Sequence, residues 1–212
     1  AAGVRLSGGP VQLGSGSYFR ADVPIMAARG KARLKVNGKM EEWSGQGGME
    51  YIAANKSAHS FARRFTVIRT FAPGEGLFAG GLMGSGGFAD LYRVGFMEKG
   101  QLTGFAEVQE MKVVRSELNA FSGYTLPGLF EFSLRKEPCK VEIQRHGFVG
   151  GYYVLGNVSK LLRWVLSVFF AKPFILQFSG EARLICSGKT TLPAAFVNKK
   201  VPVQISFYPI NP

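Results

Sequence analysis

The feature that most constrains this chain is its serial punctuation: short alternating segments, each bounded by Gly, Pro or Asn, follow one another along most of the sequence. Side chains on a strand point to opposite faces in turn, so runs of period two that restart after each turn residue specify antiparallel β structure. The strongest single signal is Asn37-Gly38 between residues 33–36 and 39–43, because a two-residue type I′ turn needs positive φ at both central positions. Further strands are predicted at 65–71, 76–83, 91–97, 101–114, 129–135, 140–146, 151–155, 174–187 and 201–207. Parity puts Phe130, Phe132 and Leu134 opposite Glu131, Ser133 and Arg135, and Val141 and Ile143 opposite Lys140, Glu142 and Gln144. One-sided burial over so many consecutive strands suits a closed barrel or sandwich, which also removes exposed edges.

One helix is predicted, 159–170, with Ser159 as N-cap and Lys172-Pro173 beyond its end. It is apolar nearly all round, so it is expected to lie against the barrel or to plug one end. No repeat or linker interrupts the pattern, and residues 1–212 read as a single β-barrel domain.

Composition supplies the core and excludes several classes. Hydrophobic residues make up 46% and phenylalanine alone contributes 18, while 28 Gly and 10 Pro follow no G-X-Y period. Disordered and collagen-like chains are thereby excluded. Lys and Arg number 26 against 14 Asp and Glu, a net charge of +12 that favours anionic surfaces or partners. Nucleic acid is the disfavoured partner, because the basic residues are dispersed, the densest clusters being Arg29, Lys31, Arg33, Lys35, Lys39 and then Arg63, Arg64, Arg69, and no run of five or six like charges occurs. An anionic membrane surface is the other candidate, through Lys160, Arg163 and Lys172 around the apolar 161–170. That stretch is far short of the ~20 residues a spanning helix needs. No signal peptide is recognisable at the N-terminus, which fits a processed mature chain. Compartment and oligomeric state are not written in the sequence.

Motifs of catalysis are sparse. Two cysteines, Cys139 and Cys186, form neither a disulfide scaffold nor a zinc set, and are expected as buried thiols. His59 and His146 are the only histidines, and no metal-ligating spacing includes them. Gly84-Ser85-Gly86-Gly87-Phe88-Ala89 resembles a dinucleotide fingerprint, but an alternating strand follows where a helix should open, so it reads as a turn. Ser187-Gly188-Lys189-Thr190-Thr191 resembles the end of a P-loop, yet Arg183 stands where its first glycine belongs. No G-x-S-x-G occurs. Metal, cofactor and nucleophilic chemistry thus have no motif here, and no cofactor is expected.

More informative are polar residues that share parity with apolar ones. Glu107 and Gln109 alternate with Phe105, Met111 and Val113, and Arg69 shares a face with Phe65, Val67 and Phe71. If those faces point inward, a carboxylate and a guanidinium are buried and need partners, each other above all. A raised pKa would then make Glu107 a proton donor, with Arg69 or Tyr92 holding a ligand carbonyl. The alternative is a structural ion pair, or outward exposure in a twisted strand.

The stretches Gly48-Met49-Glu50-Tyr51, Ser60 through Arg69, Gly76-Leu77-Phe78-Ala79-Gly80-Gly81 and Gly104-Phe105-Ala106-Glu107 resemble the tocopherol cyclase-like and hydroxyneurosporene synthase-like proteins. That lipocalin-like superfamily includes fungal Diels-Alderases. Arg63-Arg64-Phe65 resembles its Arg-Trp segment, and Tyr124 to Leu134 with Cys139 to Ile143 is similar to its strand pair after the central turn. Ala53-Ala54-Asn55-Lys56-Ser57 stands where the family has Glu-Lys-x-Trp-Gly, so the acidic residue and tryptophan are missing. The resemblance implies an all-β, antiparallel lipocalin-like (calycin-type) barrel for isoprenoid or polyketide-like ligands, without supplying the acid of cyclase chemistry.

The expected function is therefore a barrel that binds an apolar small molecule, to carry it or to fold it for cyclisation or isomerisation without a cofactor. Glu107, Arg69 and Tyr92 are the candidate catalytic residues; Trp43, Tyr51, Phe65, Phe105, Gln109, Tyr124 and Tyr153 are the candidate wall. The contrasting expectation is a non-enzymatic basic β-rich subunit of a larger assembly, such as a capsid or organellar complex.

Overall fold

The structure is a computed structural model that describes residues 4–5, 11–12, 16–70, 75–99, 101–160, 164 and 173–210. Two β assemblies account for almost all of them. The first contains β1 (Val4–Arg5), β2 (Val11–Gln12), β3 (Tyr18–Val36) and β4 (Lys39–Ala54), with β1, β2 and β4 all paired to β3. Asn37 and Gly38 turn the β3–β4 hairpin with φ of 50° and 82°, as the sequence predicts. Beyond its base this hairpin is a two-stranded ribbon roughly 50 Å long, and residues 29–45 are exposed throughout.

The second assembly is a closed barrel. It is built from β5 (Ala62–Arg69), β6 (Glu75–Gly84), β7 (Leu91–Glu98), β8 (Gln101–Leu118), β9 (Thr125–Leu134), β10 (Cys139–Tyr153), β11 (Phe174–Cys186) and β12 (Lys200–Pro209). Each strand pairs antiparallel with the next, and β12 closes the ring on β5. Single polypeptide turns suffice for most connections because every neighbour is antiparallel. The predicted strands 140–146 and 151–155 are one strand, β10, carried through two register shifts between Arg145 and Gly150.

Two cores follow from the two faces of the wall. Inside the barrel, Phe96, Phe130, Phe132 and Phe207 are all completely buried and join Ile68, Leu77, Val94, Val141, Ile143, Leu176 and Ile205. Outside it, Phe61, Phe65, Val67, Phe78, Leu82 and Met97 pack with Phe19, whose ring stacks on Phe65 at 5.5 Å. The base of the ribbon is thus anchored on the outer wall by β3. Each such phenylalanine contributes on the order of 1.5–3 kcal/mol by leaving water.

One end of the barrel, called the lower end here, is sealed. Phe196, on a single 3-10 turn at Ala194–Phe196, packs on Phe96 at 5.3 Å, and Leu192 is buried beside it. Glu137 ties the loop down by accepting from the hydroxyls of Thr190, at 2.6 Å, and Thr191. Cys139 and Cys186 face one another across β10 and β11 and form a disulfide. The expectation of free thiols is corrected: directly opposed strand positions bring the two Cβ atoms within bridging distance.

The predicted helix 159–170 lies outside the described residues except for Ser159, Lys160 and Trp164. Among the described residues, no helix is long and apolar enough to cross a membrane.

Candidate functional site in the barrel lumen

The upper half of the lumen differs from the sealed end by carrying charge. On β5 the inward residues are Arg64, Thr66 and Ile68, on β7 Tyr92, Val94 and Phe96, and on β10 Cys139, Val141, Ile143 and Arg145. Thr66, Gly81 and Tyr92 are consecutive partners across β5, β6 and β7 and form one transverse row. A Cβ at Gly81 would fall 1.8 Å from the Leu91 carbonyl oxygen, so glycine is required for β6 to close on β7 there.

Tyr92 stands in this row, 3% exposed, with its ring 5.1 Å from that of Phe132. Burial pushes its phenol up to about 12, against the opposing pull of the Arg64 guanidinium and the Thr66 hydroxyl. Neither neighbour completes a hydrogen bond of good geometry with it, and the Tyr92 and Thr66 hydroxyls are both buried without a partner. Tyr92 is therefore a protonated donor at any physiological pH.

Two guanidiniums flank a pair of rings. Arg64 lies 5.3 Å over Phe207, Phe207 packs on Phe178 at 5.9 Å, and Arg145 lies 4.4 Å over Phe178. Arg145 is only 5% exposed, and its Nη2 donates to Glu117 Oε2 at 2.6 Å. That bond holds the Glu117 carboxyl below the usual range. The remaining Nε and Nη1 of Arg145, and Nε of Arg64, are buried with no acceptor. Buried donors without partners cost about 1–3 kcal/mol each, so an acceptor that reached this set would recover that cost.

A file of aromatic rings leads from the surface to these donors. Tyr153 stacks on Phe174 at 4.8 Å, Phe174 meets Phe121 at 5.9 Å, Phe121 meets Phe148 at 5.6 Å, and Phe148 meets Phe178 at 5.3 Å. Tyr124 joins the same Phe174 at 6.0 Å. Phe121 and Phe148 are 52% and 45% exposed, so the file begins in solvent and ends under Arg145. Phe121 is presented by a tight loop in which Asn119 Oδ1 accepts from the Ser122 backbone N–H and hydroxyl.

Of the ten residues singled out from sequence, Tyr92 is in the lumen, and Tyr124 and Tyr153 are at its rim. Glu107 is not inside: its side chain is 49% exposed, and it accepts from Arg93 at 3.0 Å with Arg135 3.9 Å away. Phe105 and Gln109 are exposed with it on the outer face, Phe105 beneath the Arg93 guanidinium. Arg69 and Phe65 belong to the outer face of β5, and Glu107 and Arg69 do not pair. Trp43 and Tyr51 are 59% and 49% exposed on the ribbon. Phe71 lies outside the described residues.

The error in β8 has one cause. A bulge between Val108 and Glu110 shifts the register, so odd residues point outward before it and Met111, opposite Phe132, turns inward after it. The error in β5 has another, since both of its faces are buried and apolarity cannot tell them apart. Sequence reasoning missed Arg64, Thr66, Glu117 and Arg145. Arg145 left a signal as the next member of the series Val141, Ile143, and Arg64 left one in the Arg63-Arg64-Phe65 resemblance, which was not carried over to the site.

An open cleft of about 500 Å³ on the ribbon, lined by Arg29, Gly30, Lys31, Ser44 and Gly45, offers no comparable chemistry because all five residues are exposed. Among the described residues no cluster of His, Cys, Asp and Glu could hold a metal ion.

This architecture is a closed eight-stranded antiparallel barrel of lipocalin-like fold. The crystal structure of CghA with Sch210972 superposes with a TM-score of 0.55 at 10% identity, over 94% of this chain and 56% of that one. A second CghA crystal structure gives the same TM-score and identity over 95% and 60%. Kievitone hydratase from Nectria haematococca gives a TM-score of 0.49 at 11% identity, over 98% and 60%. The chain thus spans less than two thirds of the length of these proteins, and its likeness to CghA is one of fold. No protein-family model matches the sequence, and no curated protein matches it.

Proposed function

We propose that residues 1–212 act as one barrel unit that binds an apolar small molecule in the upper lumen. Tyr92, Thr66, Arg64 and Arg145 hold an oxygen of the ligand, and the aromatic file guides its body. The observation that carries this reading is the set of buried donors with no partner, Tyr92 beside Thr66 and Arg64, and Arg145 linked to Arg64 through the Phe178–Phe207 ring pair. Isoprenoid and polyketide-like molecules have the required form, a flexible hydrocarbon with sparse carbonyl or hydroxyl oxygens.

Such a lumen can also do chemistry without a cofactor. Aromatic walls that hold a flexible ligand in one folded conformer raise the effective concentration of its own reacting ends. A carbonyl that accepts from the protonated Tyr92 phenol and from a guanidinium is polarised, most strongly where negative charge develops on oxygen. Cyclisation or isomerisation fits these means, with Tyr92 in the role that the sequence suggested for Glu107.

Native mass spectrometry of protein purified without added ligand, followed by solvent extraction, tests the reading. A stoichiometric apolar molecule that is lost in Tyr92→Phe or Arg145→Met supports it. A ligand-free protein that binds no apolar probe in the lumen would overturn it. A second reading, a basic structural subunit, draws on the exposed ribbon with Leu34, Trp43 and four basic side chains at Arg29, Lys31, Arg33 and Lys35; a discrete oligomer without ligand would favour it.

A further inference from the structure

The balance of charge inside the barrel says more about the ligand than its walls do. Two guanidiniums, Arg64 and Arg145, face one carboxylate, Glu117. That carboxylate is shared, because its other oxygen takes the Arg115 guanidinium on the rim at 3.0 Å. Arg64 has only neutral contacts: the Met83 sulfur at 3.8 Å, the Phe207 ring and the neighbouring Tyr92 phenol. Asp90, the one carboxylate felt at Tyr92, is exposed outside the lumen and accepts from the Gly84 backbone N–H at 2.8 Å. A ring face or a thioether attracts a cation without neutralising it, and a partly buried cation with no counter-charge is costly. The lumen therefore holds one positive charge in excess.

We infer that the lumen selects a monoanionic apolar ligand, one acidic head such as a carboxylate, enolate or sulfonate on a hydrocarbon body. The head takes the free edges of Arg64 and Arg145, with the Tyr92 and Thr66 hydroxyls as further donors, and the body follows the aromatic file toward the rim. Glu117 is the resident counter-ion against which the head competes for Arg145. This inference rests on the lumen being the binding site proposed above.

The test uses two fluorescent probes of one skeleton that differ by a single negative charge: 1-anilinonaphthalene-8-sulfonate and N-phenyl-1-naphthylamine. Both are titrated into the full chain at physiological salt. The sulfonate is expected to bind about tenfold more tightly than the neutral amine. Arg64→Met should remove most of that preference, read as the ratio of the two affinities in the variant against the ratio in the wild type. Arg63→Met, which deletes the same charge from the exposed outer face next door, should change neither probe. Glu117→Gln should raise the sulfonate-to-amine affinity ratio severalfold, whereas damage to the fold would expose apolar surface to both probes alike.

Equal loss in Arg63→Met and Arg64→Met would show that net charge alone attracts the sulfonate, and would overturn the inference. So would a sulfonate no tighter than the amine, although amine binding in the lumen would leave the proposed function standing. Failure of the wild-type chain to bind either probe would overturn both.

Discussion

The Cys139–Cys186 disulfide makes a quantitative prediction. It joins residues 47 apart in sequence, and the chain-entropy relation for a loop of that size gives about 4 kcal/mol of stabilisation near room temperature, by restricting the unfolded chain. The folded state has little to lose when the bridge is cut, since Lys140↔Ile185, Val141↔Leu184 and the following pairs hold the same register. Cys139 is 7% exposed, so alanine is the better replacement, because serine would bury a hydroxyl beside the core. The measurement is urea unfolding of the oxidised protein, the reduced protein and Cys139→Ala/Cys186→Ala, followed by far-UV circular dichroism. Trp43 fluorescence would be a poor reporter because that side chain stands exposed on the ribbon. Reduction and double substitution should agree, each lowering stability by about 3–4 kcal/mol and steepening the denaturant dependence as the unfolded chain expands. A loss under about 1 kcal/mol with an unchanged slope would refute the loop-entropy argument. It would mean that strand register alone holds the lower end.

Four further outcomes are expected. Gly81→Ala should destabilise by about 3 kcal/mol or more, because its Cβ would meet the Leu91 carbonyl oxygen, while Gly30→Ala on the ribbon, with no atom near its Cβ, should be close to neutral; equal midpoints in urea would contradict the crowding of β6 on β7. Tyr92→Phe should leave the ligand-free protein as stable or slightly more so, since it removes an unpartnered buried hydroxyl, yet weaken binding of the co-purifying ligand; a large loss of thermal stability would show the hydroxyl to be structural. Stability should fall on acidification, because Glu117, Glu137 and Glu181 have their carboxyls held below the ordinary value by hydrogen bonds from Arg145, Thr190 and Lys200 respectively. A carboxyl depressed in the fold stabilises at pH above its unfolded pKa, and that contribution disappears as pH falls through the folded one; replacing all three by Gln should flatten the acid limb of a stability–pH curve. Glu107→Gln should cost under about 1 kcal/mol and leave ligand binding untouched, in keeping with its exposed pair to Arg93.

The sequence made the barrel legible because each strand carries its own record of burial. Phe130-Glu131-Phe132-Ser133-Leu134 and Val141-Glu142-Ile143-Gln144 alternate without error, and Asn37-Gly38 fixes its hairpin by backbone geometry alone. The same alternation along β7 turns Tyr92 into the lumen in step with Val94 and Phe96. Period two fails, however, where the ladder itself changes count. At the β8 bulge one extra residue reverses the faces, so Glu107 came out where Phe132's partner Met111 went in. On β5, Phe65 and Val67 outbid Arg64 and Thr66 as an apparent inner face because the outer wall is covered by Phe61, at the strand's own entry, and by Phe19, from β3 far away in sequence. Counter-ions and aromatic stacks joining Arg145 to Glu117, or Arg64 to Phe207, are likewise set by tertiary neighbours, and no local spacing encodes them.

Ring closure has a consequence for how this chain is made. β12 must find β5, pairing Gln204 with Arg69 and Pro209 with Arg64 across well over half of the sequence. Until it does, β5 and β12 are bare edges, and the phenylalanines of the future lumen face water. Contacts of such long range form slowly, so a nascent chain spends time as an open, sticky sheet. Arg64 and Arg145 are on that sheet too. In the open state they are hydrated charges set among aromatics, as gatekeepers are in aggregation-prone strands. Replacing both at once with apolar residues would thus be felt first at synthesis, as a lower soluble yield than either single replacement gives, before any ligand is added.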